Sequence, residues 1–141
     1  SEDIGNANPT ALVIANAAFD AVERIGFPEG RIVLSQCAVY LATSPKSNST
    51  YMAINMAQGE VRNSGDLSVP LALRNAPTKL MKELGYGEEY KYSHNGEGNF
   101  QSQEFLPKEI SGMRFYEPGN NSRELKDRQK LKELWKEKYG Y

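Results

Sequence analysis

Asn8-Pro-Thr-Ala-Leu-Val-Ile-Ala-Asn-Ala-Ala-Phe-Asp-Ala-Val-Glu-Arg-Ile-Gly26 is the stretch that decides the fold class. Asn8 is a residue type that caps helices, and Pro9 is tolerated where a helix opens. Ala11, Leu12, Ala15, Ala18, Phe19, Val22 and Ile25 then recur at the helical period. Several are alanines, which lets a neighbouring helix approach closely. Gly26 ends the run, because glycine takes a left-handed conformation cheaply.

The same grammar repeats downstream. Pro28 restarts the chain, and a second helix is expected to reach about Thr43, with Val33, Leu34, Cys37, Tyr40 and Leu41 on its apolar face. Pro45 stops it by disfavouring helical geometry in the residue before it. Ser47 caps a third helix through about Arg62, whose inner stripe is Tyr51, Ile54, Ala57, Gln58 and Val61. After the turn Asn63-Ser-Gly-Asp66, an extended Ser68–Leu71 crosses to a short helix over 76–84. There Asn75 caps, Pro77 opens, Leu80, Met81 and Leu84 form the apolar face, and Gly85 closes. Residues 1–85 therefore read as antiparallel helical hairpins with short loops, a mainly α scheme.

The texture changes over 86–121, where glycine, asparagine and aromatics replace helical periodicity. Glu89–Ser93 and Phe100–Phe105 alternate and could pair as a small β-hairpin; otherwise the segment is an irregular aromatic-rich flap packed on the helices. Over 122–141 Ser122 caps a last helix through about Lys138. Its apolar arc of Leu125, Leu131, Leu134, Trp135 and Tyr139 is interrupted by Arg128 and Lys132. The three regions are expected to form one compact domain.

A chain of 141 residues with 39% apolar and 25% charged residues reads as a soluble globular domain, with no run of membrane-spanning length. It begins Ser1-Glu-Asp3 without a signal peptide or an initiator methionine, which points to a piece of a longer protein. Lone Cys37 reads as a small buried hydrophobe and fits a reducing cytoplasm. The net charge of −1 conceals an asymmetry: residues 122–141 carry seven basic against four acidic side chains. That basic helix either meets phosphate or is a solvated face of mixed charge.

Catalytic chemistry is not visible. No glycine-rich turn is followed by Lys and Ser or Thr, so no P-loop is present. His94 and Cys37 lie far apart, so no metal-ligand cluster arises, and no Gly-x-Ser-x-Gly elbow exists. We expect no catalytic, cofactor or metal residues. Two surfaces remain. Phe19, Tyr40, Tyr51, Met52 and Met56 offer more apolar area than four helices hide, which points to an interface. Arg74, Lys79, Lys82 and Lys91, interleaved with Tyr86, Tyr90 and Tyr92, suit single-stranded DNA or a docking partner, although such tyrosines also fill core edges.

The wording itself carries a resemblance. Glu2-Asp-Ile-Gly-Asn-Ala-Asn-Pro9, Glu23-Arg-Ile-Gly-Phe-Pro-Glu-Gly-Arg-Ile32, Tyr40-Leu-Ala42 and Pro45-Lys-Ser-Asn48 come first. Leu73-Arg-Asn-Ala-Pro-Thr-Lys-Leu-Met-Lys82, Leu84-Gly-Tyr-Gly87, Tyr90-Lys-Tyr92, Phe105-Leu-Pro107 and Arg114-Phe-Tyr-Glu-Pro118 follow. In this order they resemble the C-terminal region of the RarA/MgsA family, clamp-loader-like AAA+ ATPases related to the Werner helicase-interacting protein. The resemblance implies a collar through which subunits assemble as a homotetramer, with ATP and Mg handled outside these residues. It further implies a cytoplasmic, nucleoid-associated parent protein in DNA replication, recombination and repair. Its partners would be DNA with single-stranded regions and single-strand-binding protein.

Overall fold

A computed structural model describes all residues from Ser1 to Tyr141. The α-helices are α1 (Thr10–Ile25), α2 (Gly30–Thr43), α3 (Ser49–Ser64), α4 (Lys79–Glu83) and α5 (Ser122–Trp135). Single 3-10 turns lie at Gly5–Ala7, Leu71–Leu73, Ser93–Asn95, Glu97–Asn99 and Lys108–Ile110, and there is no β-strand. The mainly α expectation holds. No helix is long and apolar enough to cross a membrane.

The chain divides into two compact units, Ser1–Gln58 with Phe115–Gln129, and Gly59–Arg114 with Lys130–Tyr141. In the first, α1 and α2 are the one pair of α-helices that packs along its length. Gly26 has φ +73° and ends α1 in the left-handed region, where glycine carries no Cβ penalty. Asn8 does not cap α1 with its side chain. Its amide instead donates to the Tyr40 hydroxyl and to Ser44 Oγ, both at 3.0 Å, and so ties the start of α1 to the end of α2. A short polar side chain beside two hydroxyls found tertiary partners where the local pattern suggested a local one. Close approach leaves Ala11 and Ala18 buried, joined by Ile4 and Ala7 from the N-terminal segment. Together with Pro118, which has almost no exposure, these four are the buried apolar side chains of the chain.

Several expected inner faces lie open. Leu34 on α2 and the α3 stripe residues Tyr51, Ile54 and Val61 are exposed, as are Leu80 and Leu84 on α4. The apolar period is present in these helices, but the elements of the same unit do not cover it.

In the second unit, Thr78 and not Asn75 caps α4, accepting from the Met81 N–H at 3.3 Å. The helix is a single turn, and Gly85 stops it with φ +78°. Of the two alternatives for this segment, the hairpin does not form. The two segments meet through side chains: Gln103 accepts from the Lys91 N–H and donates to the Lys91 carbonyl, each at 3.1 Å, and Lys91 Nζ donates to the Ser102 carbonyl. An amide side chain thus does locally what a strand ladder would do. Trp135 gathers Phe100 and Tyr139 edge-on at 4.9 Å, and Phe105 at 6.3 Å. Lys138 lies over the Trp135 and Tyr139 rings and donates to the Gln103 carbonyl at 2.8 Å. α5 ends at Trp135, three residues before the expected Lys138, and Lys136 turns left-handed with φ +52°.

Candidate assembly interface

The start of α3 is fixed by a buried carboxylate. Ser47 Oγ accepts the Ser49 N–H at 3.3 Å, as a helix start requires. Ser49 Oγ in turn donates to Glu124 Oε1, and the Tyr116 hydroxyl donates to the same oxygen at 2.9 Å. The Asn121 amide donates to Oε2 while its own oxygen accepts the Glu124 N–H at 3.0 Å, which caps α5. Glu124 has no solvent exposure. Burial opposes its ionisation, but the bonds from Ser47, Ser49, Asn121 and Tyr116 outweigh burial and hold its carboxyl at about 2. Burial first, then the neighbouring Glu124, pushes the Tyr116 phenol up. One charge therefore joins α3, the 115–121 segment and α5 within the first unit. Asn121-x-x-Glu124 is a capping-box spacing, so the sequence offered a signal for this role; Ser122 had been expected as the cap.

On the α3 that this carboxylate positions, large apolar side chains point outward on two opposite sides. Met52 and Met56 share one side, Ile54 and Val61 lie on the opposite side, and Tyr51 falls between. All five are exposed, and of the apolar residues only Ala53 and Ala57 are half-buried. Asn55, Gln58 and Arg62 share the sector of Tyr51, so α3 carries two separate open apolar faces rather than one stripe turned to a core. On α1, Leu12, Val13 and Phe19 are also open, Phe19 to 69%. Of the expected interface residues, Phe19, Tyr51, Met52 and Met56 are therefore exposed. Tyr40 is half-buried, with its hydroxyl engaged by Asn8.

The accessible surface is 10216 Å². A compact monomer of 15.8 kDa exposes about 7,300 Å², and even two wholly separate bodies of half that mass expose about 8,800 Å² together. An excess of about 1,400 Å² thus remains without any assumption about how the units sit.

The basic candidates are placed less favourably for phosphate. Arg74 donates to the Val69 carbonyl at 2.7 Å and to the Tyr86 hydroxyl at 3.1 Å, with its guanidinium 5.0 Å from that ring's centre. Lys79 pairs with Glu83 at 3.8 Å, and Lys91 donates to the Ser102 carbonyl at 3.4 Å. Lys82 is exposed, as are Glu83, Glu88, Glu89 and Glu97 in the same unit. His94 faces Asn99 at 3.1 Å and the Tyr92 ring at 5.1 Å. A second anchored carboxylate, Glu104, accepts the Leu106 N–H at 3.0 Å, the Ser111 hydroxyl at 2.5 Å and the Tyr139 hydroxyl at 3.3 Å, with Lys138 at 3.6 Å. Burial opposes its charge, but these partners hold it at about 2. Burial and then the Glu104 charge push the Tyr139 phenol up to about 12.

The model of the family described as MgsA AAA+ ATPase C terminal matches residues 1–135. Replication-associated recombination protein A of Coxiella burnetii is 48% identical over 132 residues, covering 93% of this chain and 30% of that protein. The Escherichia coli K12 protein of the same name is 47% identical over the same shares. ATPase WRNIP1 of Dictyostelium discoideum is 42% identical over 130 residues, 92% of this chain and 15% of that protein. The chain spans about a third or less of the length of these relatives. With a match across nearly every residue, the chain belongs to the RarA/MgsA family, as its AAA+ ATPase C-terminal domain.

Proposed function

We propose that this chain is the self-association domain of a clamp-loader-like AAA+ ATPase, and that its copies assemble as a homotetramer. The observation that carries the reading is the uncovered apolar surface, with five large apolar side chains exposed on α3 and only five apolar side chains, four of them small or from the N-terminal segment and α1, buried in the whole chain. Burial at about 25 cal/mol per Å² makes such surface a strong drive to associate. Catalysis belongs to the parent protein, where ATP and Mg are bound. That protein acts in replication-linked recombination and repair in the nucleoid-associated cytoplasm, on DNA with single-stranded regions and alongside single-strand-binding protein. The relatives' name, replication-associated recombination protein A, supports that assignment.

Light scattering on a sizing column across a concentration series tests the proposal. The expected mass at high concentration is four times the 15.8 kDa of the chain. Tyr51→Asp is expected to shift that mass down, because it places a charge in the α3 surface, whereas Lys82→Ala leaves it unchanged. A wild-type chain that stays monomeric throughout, or a mass lowered by Lys82→Ala alone, defeats the proposal.

A further inference from the structure

Phe27 is the most exposed large apolar side chain in the protein, at 70%. It sits in the turn between α1 and α2, flanked by Gly26 and Pro28, so no side chain of its own helices shields it. The same unit carries a groove of about 410 Å³, with Met52 and Met56 of α3 on one wall and Phe115 and Pro118 on the other. Asn48, Glu117 and Arg128 also line it. The groove is preformed, because its two walls are tied to one anchor: Ser49, a turn before Met52, and Tyr116, next to Phe115, both donate to Glu124 Oε1. Thioether side chains are polarizable and adapt to an aromatic edge, so the lining favours a phenyl ring over an aliphatic knob. At 70% exposure, Phe27 does not fill the groove of its own chain.

We infer that Phe27 of one copy of this chain seats in the Met52–Met56–Phe115 groove of another copy. The inference rests on the self-association reading. The occupant is a second copy because the area to be covered has the size of a subunit contact. A standard interface buries about 600–1,000 Å² on each partner, and the uncovered excess of about 1,400 Å² leaves about 700 Å² for a knob side and about 700 Å² for a groove side on every chain. Knob and groove are different surfaces, so each chain can offer one to a neighbour and receive one from another.

Complementation between damaged partners tests the pairing. Phe27→Asp removes the knob, and Met56→Asp blocks the groove. Each variant alone is expected to raise the concentration needed for association ~30-fold or more, as loss of a buried anchor does. Mixed in equal amounts, the two are expected to form a 1:1 heterodimer, since one intact knob still meets one intact groove. Circular dichroism confirms that each variant keeps its helices, and Phe27→Ala with Met56→Ala serves if an aspartate unfolds the chain. In a Cys37→Ser background, Phe27→Cys mixed with Met56→Cys is expected to give a crossed disulfide dimer under a mild oxidant. Folded variants that assemble as the wild type does, or that never complement and never cross-link, overturn the pairing and leave self-association standing. A monomeric wild type overturns both.

Discussion

Replacing Glu124 by Gln keeps the side chain's shape and removes its charge. The carboxyl titrates at about 2 in the folded chain against an ordinary value of 4.5. A folded value below the unfolded one means that the ionised form stabilises the fold above the unfolded value, and that this contribution fades as pH falls through the folded value. The gap corresponds to about 3 kcal/mol at pH 7, about 1.4 kcal/mol at pH 3 and less than about 0.5 kcal/mol at pH 2. Glutamine cannot supply the charge at any pH, and its amide donor faces the Ser49, Tyr116 and Asn121 donors. Glu124→Gln should therefore lower the stability by about 3 kcal/mol at neutral pH, or about 10 °C in melting temperature for a chain of this size. Urea titrations of both proteins, followed by far-ultraviolet circular dichroism at pH 7, 4, 3 and 2, give the comparison directly. Chain concentration must be held equal, because association adds to apparent stability. The two curves should converge at low pH. A deficit below about 1 kcal/mol at pH 7, or one that is the same at pH 7 and pH 2, refutes the view that the buried charge holds the start of α3.

Three further outcomes are expected. Gly119→Ala places a methyl carbon 2.7 Å from Glu124 Oε2, so the carboxylate must shift; a loss of about 1–3 kcal/mol in the same urea assay is expected, and no loss would show that the segment yields freely. Glu104→Gln should cost only about 1 kcal/mol, because its carboxylate and the Lys138 partner are each about a quarter exposed. The same change removes a negative charge beside Tyr139, whose phenol sits at about 12, so one tyrosine should ionise at a lower pH in an ultraviolet titration. If the Tyr139 titration stays in place, burial alone sets its value.

Helix identity was legible because local pattern is enough for it. The Pro9 opening, the glycine stops at Gly26 and Gly85, and the α1 period each depend on nearby residues, and α1, α2 and α3 lie where they were expected to within two residues. What failed depended on partners distant in sequence. Asn8 was read as a cap, but the hydroxyls of Tyr40 and Ser44 lie more than thirty positions away. The alternation in Glu89–Ser93 and Phe100–Phe105 was real, yet Gln103 satisfies the Lys91 backbone before a ladder can form. Arg128 looked like a leak in the α5 apolar arc; it bonds Glu117 and the Pro118 carbonyl, contacts invisible to a helical wheel. Glu124 was counted as one acid among several, and only folding shows that it is the best satisfied polar group of the first unit.

The open faces of α3 show where periodicity stops being informative. A stripe of apolar residues at the helical period states that water will be excluded from it, and says nothing about which chain excludes it. Tyr51, Ile54 and Val61 were assigned to an inner face on the premise that a domain covers its own stripes. With five buried apolar side chains, the isolated chain has little hydrophobic burial to set against an ordering entropy of at least about 1 kcal/mol per residue. The deficit is smallest where Glu124 and Glu104 bind loops through charge-assisted hydrogen bonds, and these are the places where the fold does not depend on a partner. On the self-association reading, the two kinds of stabilisation divide the labour. The buried Glu124 carboxylate fixes the starts of α3 and α5 and presents α3, and the apolar surface it presents becomes core only when another copy arrives. Folding and assembly are then one equilibrium, which is why the same residues that read as a core from the sequence stand open in the single chain.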